Sequence, residues 1–256
     1  MPHIYRYENG QFTQFERPVV WEQPLTIVTN GVELATFLCT PVKLDYLTVG
    51  FLAFEGIIRS PEDIRELDVD AENGLVEVEL TTELVRPQKR VFTSGCGMGL
   101  TFTLRTSHYP PLQSELTLTP TQIFPLMQQL LDGASMYQTS RGIHAAALSD
   151  AEHVILLAED VGRHNALDKI LGEALLKGIR TEGRILLSTG RISSEMLRKG
   201  AFMGTPFVIS RTSPTTLSID AAKRLGVTVI GYVRRSSFNL YTHPERLRHE
   251  AEPSAS

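Results

Sequence analysis

The sequence predicts an α/β protein: a layered sheet in the C-terminal part, preceded by a smaller β-rich α+β part. Three observations predict it. Between residues 154 and 226, an apolar run, a polar loop and a helical stretch recur three times, the rhythm of strands alternating with helices. Near the N-terminus, two Asn-Gly pairs each separate two short strand-like runs. The strand candidates also differ in kind. An early one alternates apolar and charged residues, as a half-buried strand does, whereas the later ones are continuously apolar, as in a sheet covered on both faces.

The elements follow in order. IYRYE and QFTQFE flank Asn9-Gly10, and PLTIVT and VELATF flank Asn30-Gly31. Both residues of an Asn-Gly pair tolerate positive φ, so each pair predicts a tight hairpin. Residues 44–55 (LDYLTVGFLAFE) carry apolar positions at helical spacing, with Gly56 placed to close the helix. Ser60-Pro61-Glu62-Asp63 starts a short helical turn, and GLVEVELT (74–81) is the alternating strand. Thr119-Pro120-Thr121-Gln122 has capping-box spacing with proline at the first helical position, predicting a helix to about Leu131.

The three repeated units come next. VILLA (154–158) leads through EDVGRHN to a helix ending near Gly178. RILLS (184–188) leads through TGRIS to a helix over about 194–203. PFVIS (206–210) leads through RTSPT to a helix ending near Gly226, and VTVIGYV (227–233) is a last buried strand. The predicted organisation is residues 1–110 as the β-rich part, 111–247 as the α/β part and 248–256 (RHEAEPSAS within the charged, small tail) as a disordered end.

The bulk numbers narrow the function. The net charge of −4 gives no overall basic field for nucleic acid or anionic lipid. No apolar run is long enough for a bilayer span and MPHIYRYENG lacks a signal-peptide pattern. Two cysteines in 256 residues make neither a disulfide framework nor a four-thiolate metal site. A reducing cytoplasm is the simplest setting.

Ligands of open α/β sheets bind at the carboxyl ends of the strands. Here that edge receives Glu159, Asp160, Arg163 and His164, then Thr189, Gly190 and Arg191, then Arg211, Thr212 and Ser213. Three helix N-termini and three arginines suit a phosphate-bearing ligand. Ser, Thr and Asp also cap helices in any α/β protein, so both explanations stand. Tyr232-Val233-Arg234-Arg235-Ser236-Ser237 ends the last strand with a double arginine, which is either an anion clamp or a solvated turn. No GxxxxGK[ST] loop and no GxGxxG after a strand is present.

Cys96 lies in Thr93-Ser94-Gly95-Cys96-Gly97-Met98-Gly99. Flanking glycines remove steric cover, which suits a reactive thiol better than a buried one. Cys39, in ATFLCTP, reads as core. His144 in GIHAAA reads as a satisfied core histidine, while His164, beside Asp160 and Arg163, is an acid–base candidate.

EDVGRHNALDK (159–169), STGRISSEMLRKGA (188–201), SRTSPTTLSIDAAKRLG (210–226) and GYVRRSSFNLYTHPERL (231–247) resemble the formate dehydrogenase accessory sulfurtransferase family, the FdhD type. VGFLAFEGII (49–58), the Cys96 turn and GIHAAAL (142–148) resemble it in the same order, so the likeness spans about residues 20–247. The resemblance implies a cytidine-deaminase-like layered sheet, and a sulfur carrier that takes persulfide sulfur from a cysteine desulfurase. It implies delivery to the molybdenum bis(guanine dinucleotide) cofactor for formate dehydrogenase, and a homodimer.

Carried onto this chain, the persulfide cysteine is Cys96 and the cofactor-binding stretch is Tyr232, Val233, Arg234, Arg235, Ser236 and Ser237; the strand-end loops add Arg163, His164, Gly190 and Arg191 as cofactor-binding candidates. One departure is clear. The family usually shows Cys-Gly-x-Cys-Gly, whereas Met98 and Gly99 follow Cys96-Gly97 here, so a relay between two loop thiols is excluded. The deaminase-type zinc turn is also replaced, by Ser213-Pro214-Thr215-Thr216, and no zinc is expected. Two other functions stay open: a cofactor-binding chaperone that carries no sulfur, and a cysteine hydrolase with His144 or His164 beside Cys96.

Overall fold

The structure is a computed structural model describing residues 3–84, 91–93, 99–101 and 110–248. Both Asn-Gly pairs form the expected hairpins. Strands β1 (Ile4–Glu8) and β2 (Gln11–Phe15) meet at Asn9 and Gly10; β3 (Gln23–Thr29) and β4 (Val32–Cys39) meet at Asn30 and Gly31. All four turn residues have φ between 49° and 84°, the left-handed region that asparagine and glycine tolerate. Helix α1 (Leu44–Phe54) follows, and Gly56 (φ 70°) turns the chain away from it.

Strand β5 (Ile64–Asp70) pairs antiparallel with β6 (Leu75–Leu80), which lies parallel to β3. The order of this sheet is β4-β3-β6-β5. Short strands β7 (Val91–Thr93) and β8 (Gly99–Thr101) pair antiparallel, Thr93 opposite Gly99. Cys96 falls between them, outside the described residues, and so does nearly all of the predicted tail.

The second half begins with α2 (Pro120–Gly133). Its entry carries the predicted box bond: the Thr119 backbone N–H donates to Gln122 Oε1 at 2.9 Å. A short helix α3 (Ser135–Ser140) precedes β9 (His144–Ser149). The three predicted units are β10 (Val154–Asp160) and α4 (Arg163–Leu176), β11 (Ile185–Ser188) and α5 (Ser194–Phe202), and β12 (Phe207–Ser210) and α6 (Thr216–Leu225). Strands β13 (Thr228–Gly231) and β14 (Asn239–Leu240) complete the sheet, whose order is β10-β9-β11-β12-β13-β14.

Side-chain alternation divides this sheet between two apolar clusters. Leu186, Val208 and Val229 face α4, α5 and α6 together with α1 and the N-terminal sheet. Ile185, Leu187, Phe207 and Ile209 face α2. The strands are apolar on both faces because both faces are covered.

Where α1 crosses α4 the backbones nearly touch. A Cβ on Gly50 would lie 1.8 Å from the Asp168 carbonyl oxygen, and one on Gly172 1.9 Å from that of Tyr46. Glycine is what lets these two helices approach. The first cluster therefore runs unbroken from Leu25 and Ile27 through α1 to α4 and the large sheet. No helix among the described residues is long and apolar enough to cross a membrane.

Candidate functional site: the strand-end edge

Strand β9 runs antiparallel to both β10 and β11, and β11, β12 and β13 run parallel. The carboxyl ends of β10, β11, β12 and β13 therefore share one edge with the start of β9. Helices α4, α5 and α6 begin there. Ser193 caps α5 by accepting the Met196 N–H at 3.3 Å, and Thr215 caps α6 by accepting that of Ser218 at 3.2 Å. At α4 the cap is Gly162, so Arg163 and His164 form the first helical turn rather than the loop expected for them. Glycine supplies no capping side chain; Asp160 Oδ1 instead accepts the Gly162 N–H at 2.8 Å and the Asn165 amide at 2.9 Å.

Arg163, His164, Gly190 and His144 gather at this edge. A Cβ on Gly190 would lie 3.0 Å from Arg163 Cβ and 3.3 Å from His144 Nδ1, so the turn after β11 needs glycine to sit against both. His164 Nε2 lies 3.3 Å from Ser193 Oγ and 3.6 Å from Glu195 Oε2. Burial, then the charges of Lys199 and Arg163, hold its imidazole well below the ordinary 6.5. Burial and Arg163 lower His144 as well. Both rings are neutral near pH 7 and able to take a proton. His144 also lines a cavity of about 630 Å³ with Arg17 and Glu22. Arg191 is exposed one residue beyond Gly190.

The Tyr232–Ser237 stretch stands at another part of the edge. Its backbone is pinned: Tyr232 N–H donates to Thr212 O at 3.1 Å, Val233 N–H to Ser210 O at 3.1 Å and Arg234 N–H to Ser237 O at 2.8 Å. Tyr232 takes a positive φ of 54° and leaves its side chain exposed. Val233, Arg234, Arg235 and Ser236 line a cleft of about 1040 Å³ whose remaining wall comes from α2, α3 and Arg141. Arg211 joins them, its carbonyl accepting Arg234 Nη1 at 2.6 Å.

Four arginines thus converge on one concave surface, a donor set suited to phosphate oxygens. Arg141 was not foreseen. It sits after α3 with φ 59°, its guanidinium 5.5 Å from the Tyr137 ring centre, and no local motif marks it. Arg163, His164, Gly190 and Arg191 are not among the residues lining this cleft. The expected set therefore divides into two neighbouring groups.

Beneath the edge lies a buried latch. Asp160 Oδ2 pairs with Lys169 Nζ at 2.6 Å and accepts the Thr40 N–H at 3.1 Å. Lys169 Nζ also donates to Thr40 O at 2.9 Å and Glu159 O at 3.1 Å. Burial outweighs Lys169 and raises the Asp160 carboxyl, yet three accepted N–H bonds plus the lysine fit only the carboxylate. The neighbouring Cys39 is fully buried, and burial, then the Asp160 charge, push its thiol up to about 12. That thiol is inert, as the sequence suggested. In α4, Asp168 pairs with Lys199 of α5, while burial raises its carboxyl to about 6.

Comparison with known proteins bears on the whole length. Residues 20–248 match the model of the FdhD/NarQ family. The chain is 41% identical over 251 residues to the Sulfur carrier protein FdhD of Bacillus subtilis, covering 96% of each chain. It is 38% identical over 250 residues to that of Staphylococcus aureus strain MRSA252, covering 95% of this chain and 94% of the relative. Its fold is similar to the crystal structure of a formate dehydrogenase accessory protein from Desulfotalea psychrophila. The TM-score is 0.83 at 29% identity, over 97% of this chain and 98% of that one.

Proposed function

The chain belongs to the FdhD/NarQ family, and from that premise we propose that it is a sulfur carrier for formate dehydrogenase maturation, with Cys96 as the carrying thiol. The observation that carries the substrate side of this proposal is the cleft that brings Arg141, Arg211, Arg234 and Arg235 together. A molybdenum bis(guanine dinucleotide) cofactor is large and anionic, and this surface supplies donors for its phosphates beside aromatic rings for its bases.

The Cys96 thiolate attacks the outer sulfur of a persulfide on a cysteine desulfurase. The donor's S–S bond breaks, its cysteine leaves as thiolate, and Cys96 retains the sulfur as its own persulfide. The cofactor held in the cleft is the acceptor. Kinship of the large sheet with cytidine deaminases and a homodimer belong to the same proposal and rest on the family resemblance; a cytoplasmic setting belongs to it too and rests on the low cysteine content.

Gly99 stands where the family usually carries a second cysteine. That favours one further reading, a chaperone that shelters the cofactor without carrying sulfur. Cys96→Ala separates the two in a strain whose formate dehydrogenase depends on this protein. The carrier reading expects loss of formate dehydrogenase activity with guanine nucleotide binding kept. Maturation unchanged in Cys96→Ala would sink the carrier and favour the chaperone.

A further inference from the structure

We propose that Asp132 reads the guanine base of the ligand held in the arginine cleft; the inference rests on that cleft being the nucleotide seat. Asp132 and Gln128 line it from α2, whereas Arg211, Arg234 and Arg235 come from the strand-end segments. The cleft thus offers cations from one set of elements and a single carboxylate from another.

Within α2 the side chain of Asp132 serves Gln128 one turn earlier, a bond that an asparagine would accept as well. Asp132 sits in the last turn of α2, where its negative charge opposes the helix's own partial negative end. The carbonyls there are already served: Gln138 Nε2 donates to Leu131 O and, at 3.1 Å, to Asp132 O. None of the four arginines of the cleft forms an ion pair with it among the described residues. The bond from Gln128 engages one carboxylate oxygen, Oδ1, at 2.7 Å, and the residue is exposed where it lines the cleft. A charge set against its own helix dipole breaks a local rule, and such departures concentrate at functional sites.

Guanine offers the complementary chemistry. Its N1–H and 2-amino group are adjacent donors, and an ionised carboxylate is acceptor-only and can take both. Adenine places an acceptor at N1, facing the carboxylate. Hypoxanthine lacks the 2-amino group and loses one of the two bonds. Xanthine replaces that amino group with a carbonyl, which an amide N–H can satisfy and a carboxylate cannot. A base that covers Asp132 takes the carboxylate out of water, and an analogue that leaves it unmet then binds more weakly.

The test is equilibrium binding of GDP, IDP, XDP and ADP to the full chain and to Asp132→Asn. Asp132 is exposed, so the substitution leaves the core intact, and matched thermal melts check this. The wild type is expected to prefer GDP over IDP and ADP. Asp132→Asn is expected to lose roughly tenfold or more in GDP affinity and to gain XDP. GDP bound equally by both proteins, with no gain for XDP, overturns the role of Asp132 while leaving the seat standing. GDP bound by neither, or bound by the wild type and undiminished in Arg235→Ala, overturns the seat and the inference with it.

Discussion

Asp160 and Lys169 form an ion pair at 2.6 Å with neither side chain exposed to solvent. The pair joins the end of β10 to α4, and through Thr40 it joins both to the segment after β4. Removing one partner strands a buried charge, which costs about 3–5 kcal/mol. Lys169→Ala is therefore expected to lose that much stability in denaturant unfolding. Asp160→Asn/Lys169→Met should recover part of the loss, because no charge is then left alone. A Lys169→Ala protein as stable as wild type would contradict the latch.

The α1–α4 crossing predicts intolerance of a single methyl. Gly172→Ala would place a Cβ 1.9 Å from a backbone carbonyl oxygen, and backbone cannot swing aside as a flexible side chain can. Forced overpacking costs about 1–3 kcal/mol or more. Gly178→Ala is the contrasting case. Its Cβ would meet nothing within 4 Å, but its φ of 64° is strained for alanine, so a smaller loss is expected in the same thermal melt.

The neutral histidines predict a pH dependence with a definite sign. His164 and His144 are both held below 6.5 when folded. As pH falls below that value, the unfolded chain takes up protons that the folded chain refuses, so stability falls. It is fully present above about pH 6.5 and is lost progressively below it. Asp168, raised to about 6, acts in the opposite sense between its unfolded value and 6, so the useful quantity is a difference. His164→Asn, compared with wild type between about pH 7.5 and about pH 5.5, should show a shallower decline. Identical slopes would contradict the burial argument.

Arg235 is expected to contribute to ligand binding rather than to folding, since its side chain is exposed on the cleft wall. Arg235→Ala should weaken GDP binding roughly tenfold and make what remains less sensitive to salt, with the melting temperature unchanged. Calorimetric titration at two salt concentrations measures both.

Much of this architecture was legible where local chemistry decides it. Asn9-Gly10 and Asn30-Gly31 fold as read because few other pairs accept positive φ twice in succession. The buried strands β11, β12 and β13 were legible as continuous apolar runs. The start of α4 at Arg163 lacks a local mark, because Gly162 carries no capping side chain and the capping carboxylate comes from Asp160 outside the helix. Strand β5, IRELDVD, carries no clear strand signal; its partly exposed, charged face blurs the alternation, and pairing with β6 defines it.

The alanines of β9 carry little strand preference of their own, and β9 is held by ladders on both sides. At the site, the double arginine was visible in sequence but its cleft was not. Arg141, Arg211 and Asp132 reach it from separate elements that only the packing of α2 and α3 on the sheet brings together. Lys169 was hidden for a simpler reason: a lysine is expected at the surface, and its burial depends on Asp160 and Thr40.

Mass spectrometry of the full chain after incubation with a cysteine desulfurase and cysteine tests the central claim most directly. The account predicts an adduct of one sulfur atom on Cys96, absent from Cys96→Ala. It predicts none on Cys39, whose buried thiol is held near 12. A chain that binds guanine nucleotide and yet acquires no sulfur on Cys96 would contradict it.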